Sequence, residues 1–219
     1  MFTGIIQAIG TVANLEQRGG DVRLRINAGK LDLEGANPGD SIAVNGVCLT
    51  AVELAGDGFA ADVSHETLSL TTLGGLRAAT PVNLEKALTL STPLGGHLVS
   101  GHVDGLGRVL ERRDDARSVR LRIEAPDELA RYIAPKGSIC VDGTSLTVNE
   151  VAGRVFGLNI VPHTLQETII DGYRAGTAVN LEVDLIARYL ERLLLGEKAG
   201  CANAAGISRA FLAEHGFLK

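Results

Sequence analysis

The chain has few cysteines and none of the common cofactor signatures. Cys48, Cys140 and Cys201 form no C-x-x-C pair and leave one over if any two bond, so reduced thiols in a cytoplasmic setting are the expectation. No uninterrupted apolar run approaches bilayer length, and Met1-Phe2-Thr3-Gly4-Ile5-Ile6 lacks the basic region and apolar stretch of a signal peptide. There is no Lys/Arg cluster, and the formal charge is −5 with a pI near 5.6. That balance argues against nucleic acid and anionic membranes as partners. Neither G-x-G-x-x-G nor G-x-x-x-x-G-K-[ST] occurs, so no dinucleotide or nucleoside triphosphate is indicated. His97 and His102 lie five apart and Cys48 has no cysteine nearby, which disfavours zinc; Ser145 is not in a G-x-S-x-G elbow.

What is present is a duplication. Val44-Asn45-Gly46-Val47-Cys48-Leu49-Thr50 returns as Val141-Asp142-Gly143-Thr144-Ser145-Leu146-Thr147, an offset of 97 residues between Val44 and Val141. The same offset carries Phe59 onto Phe156, Thr67-Leu68 onto Thr164-Leu165, and Val82-Asn83-Leu84-Glu85 onto Val179-Asn180-Leu181-Glu182. Gly4 and Gly10 map onto Gly101 and Gly107. An ungapped register held over almost a whole half makes this one module written twice, with a tail. With 45% hydrophobic and 21% charged residues, each module can carry a small soluble core.

Each module reads as short strands. Val22 to Ile26 alternates apolar and polar side chains, Pro38-Gly39-Asp40 turns, Ser41 to Val44 and Val47 to Leu54 flank the Asn45-Gly46 reversal, and Phe59 to Ser64 and Pro81 to Glu85 follow. His65 to Leu73 reads as a short helix ending near Gly74-Gly75. The second half repeats this with Val119 to Ile123, Ser138 to Val141, Thr144 to Val151, Val155 to Val161 and Ala178 to Val183, and Pro126 to Tyr132 as a short helix. About six short strands per half without βαβ spacing imply a small closed antiparallel barrel. Ser91 to Gly96 is the natural linker. Asp184 to Leu195 changes to helical period, with Leu185, Ile186, Tyr189, Leu190, Leu193 and Leu194 on one stripe, and reads as an oligomerisation helix more than as a cover for its own barrel. The expected division is 1–96, 97–183 and 184–219, the last being helix and tail; residues 197 to 219 carry little signal.

The candidate chemistry is a pair of matched hydroxyl and thiol positions. Cys48 and Thr50 correspond to Ser145 and Thr147, and strand alternation puts each pair on one face. Singly, each is explained as a small core residue or a good strand former; the repetition favours a binding face.

Four stretches closely resemble the riboflavin synthase family, alpha-chain two-barrel type: Met1-Phe2-Thr3-Gly4-Ile5, Asn45 to Thr50, Gly95-Gly96-His97-Leu98-Val99-Ser100-Gly101-His102-Val103-Asp104-Gly105, and Asp142 to Val148. The likeness covers residues 1 to about 195 in order and spacing. It implies an all-β fold of two tandem six-stranded antiparallel Greek-key barrels plus a C-terminal α-helix, assembled as a homotrimer. It implies conversion of two 6,7-dimethyl-8-ribityllumazine molecules into riboflavin and 5-amino-6-ribitylaminouracil, with no metal or organic cofactor. Each site would lie between the N-terminal barrel of one subunit and the C-terminal barrel of its neighbour. Carried over by motif, the N-half ligand positions are Gly4, Ile5 and Ile6; Cys48, Leu49 and Thr50; Asp62, Val63, Ser64, His65, Glu66 and Thr67; and Gly101, His102 and Val103. The C-half positions are Ser145, Leu146 and Thr147, then Val161, Pro162, His163, Thr164, Leu165 and Gln166, with Lys136 reaching in from a neighbouring subunit.

The family mechanism removes a proton from the C7 methyl of one lumazine and adds a nucleophile at C7 of the other. Histidine titrates near neutrality, which makes His102 the first choice for proton transfer. Cys48, Ser145 and Thr147 are candidates to add to the acceptor carbon or to position water there. The chain departs from the family at His163, where glutamate is usual; His65 falls where the family varies. Two other readings compete: a non-catalytic lumazine or flavin antenna protein, and a cysteine hydrolase using Cys48, His102 and Asp62. Association with a lumazine synthase shell is a further expectation that the resemblance leaves open.

Overall fold

Alternating apolar residues in short runs, each bounded by Gly, Asn or Asp, close into barrels when both edges of the sheet find partners. The computed structural model describes residues 1–196 and shows two such barrels. The first is built from β1 (Ala8–Arg18), β2 (Asp21–Asn27), β3 (Ser41–Val44), β4 (Val47–Ala55), β5 (Gly58–Val63) and β6 (Pro81–Lys86). Its strands run β1-β2-β5-β4-β3-β6 around the wall, all antiparallel. The second uses β7 (Gly105–Asp115), β8 (Ser118–Glu124), β9 (Ser138–Val141), β10 (Thr144–Ala152), β11 (Val155–Ile160) and β12 (Ala178–Val183) in the same circular order. After β5 comes α1 (His65–Leu70) and after β11 comes α2 (Pro162–Glu167), each followed by a 3₁₀ turn, Thr72–Gly75 and Ile169–Gly172. Asp127–Tyr132, expected as a short helix, is also 3₁₀. The tail beyond residue 196, with Cys201, lies outside the described residues.

The two barrels match down to their irregularities. Asn45 (φ 47°) and Gly46 (φ 76°) make a two-residue hairpin with both centres left-handed, and Asp142 (φ 42°) and Gly143 (φ 82°) repeat it. Bulges fall between Val12 and Asn14 and between Ala51 and Glu53, and again between Val109 and Glu111 and between Val148 and Glu150. β1 and β7 escape an alternation reading because each turns polar over its second half as well as carrying a bulge, whereas β4 and β10 stay rich in strand formers through theirs. An extra residue at the bulge moves the inward face from one parity to the other, so neither strand shows a continuous period of two.

Each barrel has its own core, with Leu24, Ile26, Phe59 and Leu84 in the first and Leu121, Ile123, Phe156 and Leu181 in the second. A third cluster of Phe2, Ala43, Val99 and Cys140 joins them, and Cys48 packs against it. The seam between the barrels is where the polar face of β6 and β12 goes. Val82 and Leu84 point inward, yet Asn83 and Glu85 on the opposite face are only 0% and 2% exposed, because the second barrel meets Asn83 and the Thr3-Gly4 segment covers Glu85. Asn83 donates Nδ2–H to the Asp142 carbonyl at 2.8 Å and accepts the Ile169 N–H at 2.8 Å. Asn180 does the same in return, to the Asn45 carbonyl and from Thr72 N–H, both at 2.8 Å. Gly46 and Gly143 meet at the centre of this pseudo-two-fold. A Cβ on Gly46 would stand 2.6 Å from Gly143 N, and one on Gly143 would stand 2.8 Å from Gly46 N.

One pair breaks the seam's symmetry. Asn45 accepts Asn83 N–H through Oδ1 at 2.8 Å; at the matching place Asp142 accepts Asn180 N–H at 2.8 Å and also the Tyr173 hydroxyl. Burial pushes the Asp142 carboxyl up to about 7 against the opposing pull of those two donors.

The C-terminal helix α3 (Leu185–Leu194) forms where the helical period begins, and Gly196 follows it with φ 52°. Taken by itself it is amphipathic, with Ile186, Tyr189, Leu190, Leu193 and Leu194 exposed.

Two outcomes follow from the seam. Gly46→Ala combines left-handed backbone strain with a backbone clash, and should lower unfolding stability by roughly 3 kcal/mol in denaturant titration. Asp142→Asn keeps the hydrogen bond that Asn45 already makes on the other side. The folded chain holds the Asp142 proton above the ordinary carboxylate range, so wild-type stability falls as pH rises from about 4 to 7. The variant should gain up to roughly 4 kcal/mol at pH 8 and little at pH 4, read from unfolding midpoints across pH.

Candidate active site

β4 and β10 present the matched chemistry on their outer face. Val47 and Leu49 enter the first core, while Cys48 is half-buried and Thr50 exposed. On β10, Ser145 is half-buried, Thr147 is exposed, and Leu146 packs partly against the second core.

A loop segment from the opposite module lies over each pair. The Gly101 carbonyl accepts Cys48 N–H at 2.8 Å, and the Gly4 carbonyl accepts Ser145 N–H at 2.7 Å. A Cβ on Gly101 would come within 2.7 Å of Cys48 Cβ, and one on Gly4 within 2.6 Å of Ser145 Cβ, so both crossings need glycine. Val103 packs against the first core, and Ile6 reaches Gly143 in the second module. Gly101, His102 and Val103 sit with Cys48 to Thr50, as the resemblance groups them, whereas Gly4 lies against Ser145, so the segment Gly4 to Ile6 sits with Ser145 to Thr147 and not with Cys48.

Two buried glutamates hold the crossings. Glu85 accepts Thr3 N–H at 2.7 Å, Thr3 Oγ1–H at 2.7 Å and Gly4 N–H at 3.0 Å. Its counterpart Glu182, 5% exposed, accepts Ser100 N–H, Ser100 Oγ–H, Gly101 N–H and His102 N–H at 2.6 to 3.1 Å. Burial raises the Glu85 carboxyl above its ordinary range while these donors pull it back. Sequence reasoning missed both glutamates and both seam asparagines as site-building residues. The available signal was their repetition at the offset of 97 inside otherwise apolar strands.

The third wall comes from the ends of β5 and β11 and the helices after them. Asp62 accepts Arg23 Nε–H at 2.7 Å and a second Arg23 N–H at 2.8 Å, and this guanidinium holds its carboxyl below the usual range. Ser64 caps α1, its Oγ accepting Thr67 N–H at 3.1 Å, and His65 and Glu66 are exposed in the first turn. Val63 is buried. In the second module Val161 precedes α2 without a side-chain cap, Pro162 starts the helix, His163 and Gln166 are exposed, and Thr164 and Leu165 are half-buried. Among the described residues no side-chain hydrogen bond links Cys48, His102 and Asp62, which leaves the hydrolase reading without a relay.

The pockets are alike in frame and unlike in chemistry. Exposed His102 over Cys48 corresponds to exposed Ile5 over Ser145. Ser145 instead has His97, whose Nδ1 lies 2.7 Å from its Oγ. Lys136 is exposed with φ 67°, where its counterpart Gly39 takes φ 102°; both donate N–H across the turn, to Val148 and Ala51. A lysine where glycine would fit costs about 1 kcal/mol.

Residues 3–87 and 100–184 each match the lumazine binding domain family. A riboflavin synthase of Photobacterium phosphoreum is 46% identical over 218 residues, covering all of both chains. One from Bacillus subtilis is 38% identical over 217 residues, 99% of this chain and 100% of that protein. Among solved structures, LumP complexed with riboflavin aligns with TM-score 0.78 at 26% identity, over 84% of this chain and 99% of that one. LumP complexed with 6,7-dimethyl-8-(1'-D-ribityl) lumazine gives 0.75 at 25% identity, with the same coverage. Two matched barrels, each carrying a lumazine-binding sequence, and full-length identity well above 30% place the chain in the riboflavin synthase family.

Proposed function

We propose that the chain is a riboflavin synthase, converting two molecules of 6,7-dimethyl-8-ribityllumazine into riboflavin and 5-amino-6-ribitylaminouracil by transfer of a four-carbon unit. The observation that carries this is the pair of crossings, Gly101 onto Cys48 and Gly4 onto Ser145. They give two sites of common backbone frame, and a dismutation needs two copies of one ligand held together. Orientation of that kind is worth effective molarities of roughly 10⁵ M or more. The unequal groups divide the work between the copies. His102 moves the proton of the C7 methyl, and Cys48, Ser145 and Thr147 add to the acceptor carbon or hold water against it.

Each complete site pairs the first barrel of one subunit with the second barrel of the next in a homotrimer. The exposed apolar stripe of α3 supports a helix that assembles subunits, and the strained, exposed Lys136 supports a side chain that reaches a neighbour's pocket. Residues 1–96 and 97–183 are the two lumazine-binding barrels, and 184–219 the oligomerisation helix and tail. Free Cys48 and Cys140 fit a cytoplasmic location, and association with a lumazine synthase shell extends the same assembly. The antenna reading is disfavoured, since identity to the riboflavin synthases is 38 to 46% against 25 to 26% to LumP.

Purified protein incubated with the lumazine alone should produce riboflavin absorbance; tight binding without product would select the antenna reading. His102→Gln should lower turnover by about 10² or more, the usual contribution of a positioned acid or base, with Cys48→Ser also slowed. Near-wild-type rates in either would remove that residue from the chemistry. Lys136→Gly should gain about 1 kcal/mol in thermal unfolding while losing riboflavin formation, a split that a structural lysine would not give.

A further inference from the structure

His97 is tied to the second pocket alone. Its backbone N–H donates to the Thr3 carbonyl at 3.1 Å, on the crossing segment itself. Gly96 makes the approach feasible: a Cβ there would stand 2.2 Å from Thr3 O and 2.9 Å from Ser145 Oγ. The imidazole is 9% exposed and its Nδ1 lies 2.7 Å from Ser145 Oγ. Nε2 is buried with no hydrogen-bond partner. Burial lowers the ring's pKa, against the raising pull of Asp184 and Glu182, so the ring is neutral near pH 7.

A neutral imidazole carries one N–H, and the geometry decides where. A proton on Nε2 would be a buried donor without an acceptor, which folded proteins almost never tolerate; a bare ring nitrogen there is the smaller loss. The proton therefore sits on Nδ1. We infer that His97 is a positioning residue which donates Nδ1–H to Ser145 and so turns the serine's own proton outward, making Ser145 a directed hydrogen-bond donor to a carbonyl oxygen or ring nitrogen of the lumazine. Of the roles given to Ser145 above, this selects the orienting one: the serine holds substrate or water in the second pocket and is not a nucleophile with His97 as its base. The inference rests on the riboflavin synthase reading for the identity of the ligand, though not for the proton's place.

The proton's place is measured directly. In protein labelled with ¹⁵N-histidine, long-range ¹H–¹⁵N correlation should show His97 with a pyrrole-type Nδ1 and a pyridine-type Nε2. The reverse pattern overturns the inference, whether or not the protein makes riboflavin. Substitution adds the functional half. His97→Asn keeps a donor near the Nδ1 position and should retain most of the turnover. His97→Asp, of the same size but acceptor-only, should weaken lumazine binding and turnover by about tenfold, the scale of one hydrogen bond. In a Ser145→Ala background His97→Asp should cost nothing further. Full turnover in His97→Asp, or losses that add in the double variant, would show that His97 does not act through Ser145. If wild type binds lumazine without forming riboflavin, the functional reading falls while the nitrogen assignment still stands or falls on its own spectrum.

Discussion

Two carboxylates inside a protein–protein-like seam hold this molecule in its working shape. Glu85 and Glu182 are surrounded by backbone and hydroxyl donors from the segments that cross between modules. A buried carboxylate left unpaired would be costly, so each one specifies where Thr3-Gly4 or Ser100-Gly101-His102 must run. Those runs in turn set the carbonyls that bind Ser145 and Cys48. The course of the Gly101-His102 segment across Cys48 is thus decided from β12, by a glutamate that was not itself among the candidate ligand positions.

On that shared frame the chemistry has diverged. The hairpins, bulges, glycine contacts and glutamates are common to both modules, while the groups facing outward differ: His102 against Ile5, Cys48 against Ser145, Lys136 against Gly39, and His97 beside Ser145. Symmetry lies in what holds the pockets, and difference lies in what fills them. A reaction between two identical molecules in which one gives and the other receives has this same requirement. Asp142 and Tyr173 show divergence reaching the seam too, where a protonatable pair stands in place of Asn45 and Leu76.

Much of this was legible in the residues. The offset of 97 announced two modules, and Asn45-Gly46 and Asp142-Gly143 announced their central hairpins. Two things were not legible. β1 and β7 are hidden because a polar second half adds to the parity change at the bulge, whereas β4 and β10 stay β-rich through the same irregularity. The alternation of Val82-Asn83-Leu84-Glu85 reads as one buried and one solvated face, yet the second face is buried too, Asn83 against the other barrel and Glu85 under the Thr3-Gly4 segment. The resemblance likewise groups Gly4 to Ile6 with Cys48, whereas the crossing lays Gly4 on Ser145.

Because each module roofs the other's pocket strand, neither is whole when alone. A half-length chain would carry a β4 with nothing lying across Cys48 and a leading arm with nowhere to rest, until it met a second copy of itself. The fused protein therefore preserves the shape of an arm-exchanging pair, and joining the copies end to end is what allowed their two arms, once bound to be identical, to become His102 on one side and Ile5 on the other.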